Sequence, residues 1–158
     1  MNSTWLQPQI LTTRQSPEIW NSSSDHTSNK ILLGIVLHAP VDVVFHGESI
    51  WQPDIFVVLN ANRHILKEQR CEGVPDFIVE ILSPNNRELD LHTKKTIYAR
   101  QGVTEYWVID PESKEISIYR FDENMIEPVT QTKSPAKATS PLFPGLTIEL
   151  DAIFRPAM

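Results

Sequence analysis

Apolar residues recur along most of the chain in short runs that are separated by polar or turn-forming residues. Runs of this length, rich in Val and Ile, are typical of β-strands. Two of the runs alternate polar and apolar residues, as strands with one exposed face do. The predicted strands cover residues 31–45 with a break at Pro40, 54–59, 76–82, 105–110, 115–120 and 146–150.

One long helix is predicted, from about Pro84 to Gln101. Ser83 followed by Pro84 suits an N-cap with proline at the first helical position, and Gly102 supplies a C-terminal stop. Residues 61–75 read as a loop with one helical turn, and residues 122–141 as a connection with at most one weak strand. The pattern therefore predicts an α/β or α+β fold, a mixed β-sheet with a long helix inserted after its central strands.

The domain organisation follows from a change in composition near residue 30. Residues 1–30 are rich in Ser, Thr and Asn without a helical or strand period, which predicts a loosely structured arm before a single domain at 31–158. The chain shows no apolar run long enough to span a bilayer and no secretory signal pattern. Its single cysteine, Cys71, forms no internal disulfide, so a cytoplasmic protein is expected.

Charge argues against a protein that simply coats nucleic acid. Such proteins neutralise phosphates with many Lys and Arg, whereas this chain has a net charge of -6 from 14 basic and 20 acidic residues. The basic residues are unevenly spread, because seven of the 14 lie between Arg63 and Arg100 against six acidic ones. That segment is where an anionic ligand is expected, although a mixed solvated surface gives the same pattern.

Two carboxylates accompany the apolar strands. Glu80 lies in the middle of the run 76–82, on the same face as Asp76, and Asp54 opens the preceding strand. Ionised carboxylates lose hydration on burial unless a cation compensates them, and a pair from adjacent strands suits a hard divalent cation. The alternatives are a strand-end aspartate at Asp54 and, for Glu80, a solvent-facing edge residue or a partner for Arg. Asp76 is better explained as a turn residue.

The predicted helix adds a cation. Asp90, Lys94 and Tyr98 are spaced i, i+4 and i+8, so they share one face. Asp90 and Lys94 then form an ordinary surface ion pair or, if this face packs across Glu80, Lys94 lies beside two carboxylates. Magnesium or manganese held by Asp54 and Glu80, with an ammonium nearby, is equipment for phosphodiester cleavage. The histidines lack zinc spacing, and no nucleotide-binding loop or hydrolase elbow is present.

Several motifs together resemble the bacterial Uma-two family of restriction-endonuclease-like proteins in the PD-(D/E)xK superfamily. The motifs, which span about residues 34–154, are QPDI at 52–55, GVPDFIVEILSP at 73–84, RELDLHTK at 87–94, YARQGVTEYWVIDP at 98–111 and LFPGLTIEL at 142–150. The resemblance implies a metal-dependent nuclease fold acting on DNA. Asp54 and Glu80 match its two acidic positions, and Lys94 matches its helix lysine. Leu82 stands where the superfamily usually has lysine.

The N-terminal region departs from this family. A hairpin and a helix usually precede the first matched strand, and neither is recognisable before residue 34, so the additional acid on that helix has no clear counterpart. One side of the sheet is then expected to lack cover, which predicts either an incomplete site or a homodimer. The leading hypothesis is a magnesium- or manganese-dependent DNA endonuclease. The alternatives are a catalytically degenerate domain that binds protein or nucleic acid, and a structural domain.

Overall fold

A six-stranded mixed sheet runs through the computed structural model, which describes residues 33–47 and 50–154. Strands are numbered in chain order. β6 and β7 run parallel and the other neighbours are antiparallel. In spatial order the strands are β1 (Gly34–His38), β4 (Ile55–Leu59), β6 (Phe77–Ile81), β7 (Glu105–Asp110), β8 (Glu115–Arg120) and β9 (Thr130–Lys133).

Two smaller sheets and four short helical elements complete the described fold. One small sheet has the order β3-β2-β5, and the other pairs β10 with β11. A 3-10 helix, Asn60–Ile65, follows β4, and helix α2, Leu150–Ile153, follows β11. The small-sheet strands are β2 (Asp42–Val44), β3 (Ile50–Trp51), β5 (Arg70–Glu72), β10 (Lys137–Thr139) and β11 (Thr147–Glu149).

The connection from β6 to β7 is helical over residues 87–101. Its first part is a π-helix, Leu89–Lys94, and its second part is helix α1, Lys95–Gln101. The helix thus begins later than predicted, because Asn86 N–H donates to the carbonyl of Ser83 and closes a turn first. Its end is as predicted: Gly102 has φ 89°, and bonds from Gly102 and Val103 to the last helical carbonyls form a Schellman cap.

Side chains of the main sheet enter two separate cores. The helical segment and the β3-β2-β5 sheet cover one face, where the rings of Phe45 and Tyr98 are 5.7 Å apart. The β10-β11 pair and α2 cover the other, where Phe77 and Phe143 are 5.5 Å apart. Strands β4 and β6 are buried on both faces. The prediction that one side of the sheet lacks cover is therefore wrong for these two strands. The homodimer was expected because it would supply that cover, so these strands give it no support.

The other strand predictions succeed where the apolar pattern is strong. The break at Pro40 is confirmed, although β1 and β2 enter different sheets. The segment 122–141 contains two strands, β9 and β10, where at most one weak strand is predicted, and β5 lies within the predicted loop. These strands are short and polar, and backbone pairing rather than apolar content defines them. The predicted arm at residues 1–30 lies outside the described residues. No helix among the described residues is long and apolar enough to cross a membrane.

Candidate active site

The register of two antiparallel strands brings Asp54 and Glu80 together. Ile55 at the start of β4 pairs with Val79 near the end of β6, so the next position outward places Asp54 opposite Glu80. Asp54 Oδ2 also accepts a hydrogen bond of 2.8 Å from the backbone N–H of Ile81. This bond ties the Asp54 carboxyl group to the end of β6, and the side chain remains partly exposed.

Glu80 is buried beneath the helical segment. It is only 1% exposed, and both of its carboxyl oxygens have partners from one helix face. The Tyr98 hydroxyl donates to Oε1 at 2.7 Å, and the Lys94 ammonium donates to Oε2 at 2.9 Å. The solvent-facing alternative for Glu80 is therefore wrong, because the strand carries it into the core on the side where the helix crosses.

Lys94 lies between two acids. Its Nζ is 2.7 Å from Asp90 Oδ1 as well as 2.9 Å from Glu80, and its side chain is only 12% exposed. The Tyr106 hydroxyl donates to the backbone carbonyl of Asp90 at 3.1 Å, which anchors the π-helix to β7. Asp90 and Lys94 thus form a buried ion pair and not a surface one, and of the two alternatives for this helix face, packing across Glu80 is the one that occurs.

Burial alters the protonation of this cluster. It raises the pKa of Glu80 to about 8, even though the ammonium of Lys94 opposes the change. Burial also raises the pKa of Asp54. For Lys94, burial acts to lower the pKa, but the attraction of Glu80 and the hydrogen bond to Asp90 outweigh it and raise the pKa. The Lys94 ammonium is therefore retained, while burial shifts both Asp54 and Glu80 toward their protonated forms.

Two carboxylates of the cluster are of the chemical type that a small divalent cation binds. With all four groups ionised, Asp54, Glu80, Asp90 and Lys94 carry a charge of -2, which a cation or protons must balance. Asp54 and Glu80 offer the hard oxygen ligands that Mg²⁺ and Mn²⁺ prefer. Among the described residues, no group of three or more His, Cys, Asp or Glu could hold a metal ion. One or two carboxylates suffice for Mg²⁺, which usually keeps several waters.

Asp76 has a structural role at the other end of β6. Its Oδ2 accepts the backbone N–H of Leu59 at 2.8 Å, and its Oδ1 accepts the side-chain amide of Asn62 at 2.7 Å. Asp76 thereby fixes the turn after β4, as its interpretation as a turn residue predicted, and it does not join Glu80.

Glu105 is a buried acid that the sequence analysis missed. It opens β7 on the face opposite to Glu80 and has no measurable exposure. Its carboxyl group accepts hydrogen bonds of 2.6 to 2.7 Å from Trp107 Nε1, Ser140 Oγ and Leu142 N. Its position at the head of an apolar run, the same position that singled out Asp54, was the available signal. Glu105 fastens the segment before β11 to the main sheet.

Truncation of this acid is expected to destabilise the protein. Glu105→Ala leaves two buried donors and one half-buried donor without an acceptor, so we expect the free energy of unfolding to fall by about 3 kcal/mol. Glu149→Ala, which removes an exposed ion pair with Lys137, is the control and should cost less than about 1 kcal/mol. Urea denaturation measures both variants, and equal losses would contradict the structural role of Glu105.

Two surface clefts in the described structure lie beside the cluster rather than on it. One is lined by residues at the start of β6 and in the 3-10 helix, including His64, Lys67 and Asp76. The other is lined by residues after β6 and at the end of β7, including Arg87 and Asp110. Neither is lined by Asp54, Glu80 or Lys94, so the buried ion cluster, and not cleft size, identifies the candidate site.

The fold is similar to that of a solved structure. A crystal structure described as "a putative nuclease belonging to DUF820", from Anabaena variabilis, has this fold with a TM-score of 0.60 and 21% sequence identity, covering 77% of this chain and 68% of that chain. The family model Uma2, described as "Putative restriction endonuclease", matches residues 8–151. The chain therefore belongs to the Uma2 family. The match also includes residues upstream of 34, which the sequence motifs left outside the resemblance. No curated protein matches the chain.

Proposed function

We propose that this protein is a metal-dependent endonuclease that hydrolyses DNA phosphodiester bonds, with Asp54, Glu80 and Lys94 as its catalytic residues. The observation that carries the proposal is the convergence of two acids from adjacent strands with a helix lysine in one poorly solvated place. Membership of the Uma2 family supports a nuclease-type function. Magnesium or manganese, and DNA as substrate, belong to the proposal.

Each residue of the cluster has a definite chemical task in this proposal. Asp54 and Glu80 would hold the divalent ion, which supplies Lewis acidity and positive charge when bound. Lys94 presents an ammonium that stabilises negative charge developing on the phosphate. Asp90 and Tyr98 are positioning residues, because they hold Lys94 and Glu80 by bonds of 2.7 Å each. Their anchorage in the core keeps this arrangement rigid, as electrostatic catalysis requires.

A second candidate function is DNA binding without cleavage. It is favoured by the partners of Glu80, since Tyr98 and Lys94 already occupy both carboxyl oxygens and a metal would have to share or displace them. In that case the cluster is a buried structural network, and binding would not depend on it.

Plasmid nicking in the presence of Mg²⁺ or Mn²⁺ tests the proposal. We expect wild-type protein to nick supercoiled DNA only with metal, and Asp54→Asn and Glu80→Gln to lower the rate at least about 100-fold. Both substitutions keep the side-chain shape while removing the negative charge. The matched control is Glu123→Gln, an exposed glutamate, which should nick at the wild-type rate.

Two results would contradict the proposal. Nicking that survives both Asp54→Asn and Glu80→Gln would show that other residues cut DNA. Metal-independent DNA binding by wild type and Glu80→Gln alike, with no nicking under any metal, would favour the binding function. Thermal unfolding of each variant checks that a lost rate reflects chemistry and not unfolding.

A further inference from the structure

A cleft of about 480 Å³ opens at the carboxyl ends of the two parallel strands. Residues 82–84, which follow β6, form one wall, and residues 110–112 at the end of β7 form the other. Arg87, at the start of the helical segment, closes one side. In open α/β sheets, ligands bind in the crevice outside the carboxyl ends of parallel strands, and β6 and β7 are the parallel pair of this mixed sheet.

Arg87 is held in the cleft by a fixed acid. Its Nη2 donates to Asp110 Oδ2 at 2.8 Å. Asp110 is itself held by the Ser113 hydroxyl at 2.8 Å and the backbone N–H of Glu112 at 3.0 Å. Partial burial acts to raise the pKa of Asp110, but the bonds from Arg87 and Ser113 lower it to about 2, so this acid stays ionised.

Most N–H donors of the Arg87 guanidinium remain available. Its side chain is 43% exposed, and within the described residues the guanidinium donates one hydrogen bond, to Asp110. A guanidinium carries five N–H donors in a rigid fork, so most of them stay available to a ligand. Asp110 and Glu112 are acidic, which leaves Arg87 as the group lining this cleft that can attract an anion.

The cleft lies beside the proposed active site, on the same face of the main sheet. Glu80 pairs with Val108, and Asp110 follows two positions further along β7 on the same face. Two positions along a strand correspond to about 7 Å. Arg87 and Lys94 reach this sheet face from one helical segment, since they contact Asp110 and Glu80 respectively.

We infer that Arg87 binds a backbone phosphate of the nucleic acid substrate, close to the bond that is cut, and that Asp110 is the residue that positions it. This inference rests on the proposed nuclease function and adds a substrate contact to it. The planar fork of a guanidinium matches a phosphate in a bidentate manner, which a lysine does not reproduce. An arginine already oriented by an acid loses little conformational freedom when a phosphate binds.

The salt dependence of DNA binding tests this assignment. In a Glu80→Gln background, which prevents cutting, the affinity for a fluorescently labelled duplex is measured by anisotropy over a range of salt concentrations. Addition of Arg87→Ala should weaken binding at least about tenfold and reduce the slope of log K against log salt by about 0.9, the value for one lost phosphate contact. Addition of Arg100→Ala, an exposed arginine on the same helical segment, is the control and should change neither quantity.

Asp110→Asn separates positioning from charge. It keeps Arg87 but weakens its anchor, so we expect a smaller loss of affinity with an unchanged salt slope. In the cutting-competent protein, Arg87→Ala should raise KM more than it lowers kcat. If Arg87→Ala loses affinity for DNA but unfolds at the same temperature as the wild type, the loss is not the result of a destabilised fold.

Failure of this inference is distinguishable from failure of the proposed function. If wild type nicks DNA but Arg87→Ala binds with the affinity and salt slope of Arg100→Ala, the Arg87 assignment is overturned and the nuclease stands. If wild type neither binds nor nicks DNA, the proposed function is overturned and the phosphate contact with it.

Discussion

Lys94→Ala is expected to lower the free energy of unfolding by about 3 to 5 kcal/mol. The ammonium lies within 2.9 Å of both Glu80 and Asp90, and these two acids are 1% and 2% exposed. Removing this ammonium leaves both buried acids without the cation that each of them contacts, and breaking a buried pair by removing one partner is among the most destabilising single substitutions. Denaturant unfolding followed by circular dichroism measures the loss.

The neighbouring lysine provides a matched control. Lys95 donates to the carbonyl of Ile126 at 3.0 Å and lies 5.0 Å above the Tyr119 ring, in a more exposed setting. Lys95→Ala should therefore cost no more than about 1 kcal/mol. Lys94→Met combined with Glu80→Gln and Asp90→Asn should regain stability relative to Lys94→Ala, because no charge is then left buried. A loss below about 1 kcal/mol in Lys94→Ala would contradict a buried ion cluster.

The stability of the protein is expected to fall between about pH 5 and pH 8 because of Glu80. Burial raises the pKa of Glu80 from 4.5 to about 8, so the folded state keeps a proton that the unfolded state releases. The stabilisation is fully present below pH 4.5 and is lost as the pH rises through 8. The slope that one such group adds is at most about 1.4 kcal/mol per pH unit.

Comparison with Glu80→Gln isolates this effect. Glutamine cannot ionise, while its amide can still bond with the Tyr98 hydroxyl and the Lys94 ammonium, so the variant should lack the decline that Glu80 causes. Other titrating groups, such as Asp110 at low pH, are common to both proteins and cancel in the difference. The difference in unfolding free energy, measured by urea titration at several pH values, should grow in favour of Glu80→Gln as the pH rises. Parallel curves would show that Glu80 is ionised throughout.

The alternation of polar and apolar residues was most informative for the central strands. Alternation along β6 puts Ile78 and Glu80 on one face and Phe77, Val79 and Ile81 on the other, and the two cores divide in that way. A period of two residues depends on the backbone alone, so it is readable without the partner strands. The spacing of Asp90, Lys94 and Tyr98 was readable for the same reason.

Other features depended on contacts between distant segments. Strands β5, β9 and β10 consist largely of polar residues, and only pairing with neighbours makes them strands. Glu105 is engaged by Ser140 and Leu142, which lie 35 and 37 residues away along the chain. The π-helix at Leu89–Lys94 likewise has no sequence signal of its own, and the anchorage of Asp90 by Tyr106 accompanies it.

The kinds of groups in the site are readable from the sequence alone. It has acids at 54 and 80 and a lysine at 94, and periodicity assigns Glu80 and Lys94 to faces of their own elements. Their convergence depends on tertiary packing. The register of β4 against β6 sets Asp54 opposite Glu80, and the crossing of the helix buries Lys94 between Glu80 and Asp90. Register and crossing arise from the packing of whole faces, and that packing sums over residues far apart in the chain.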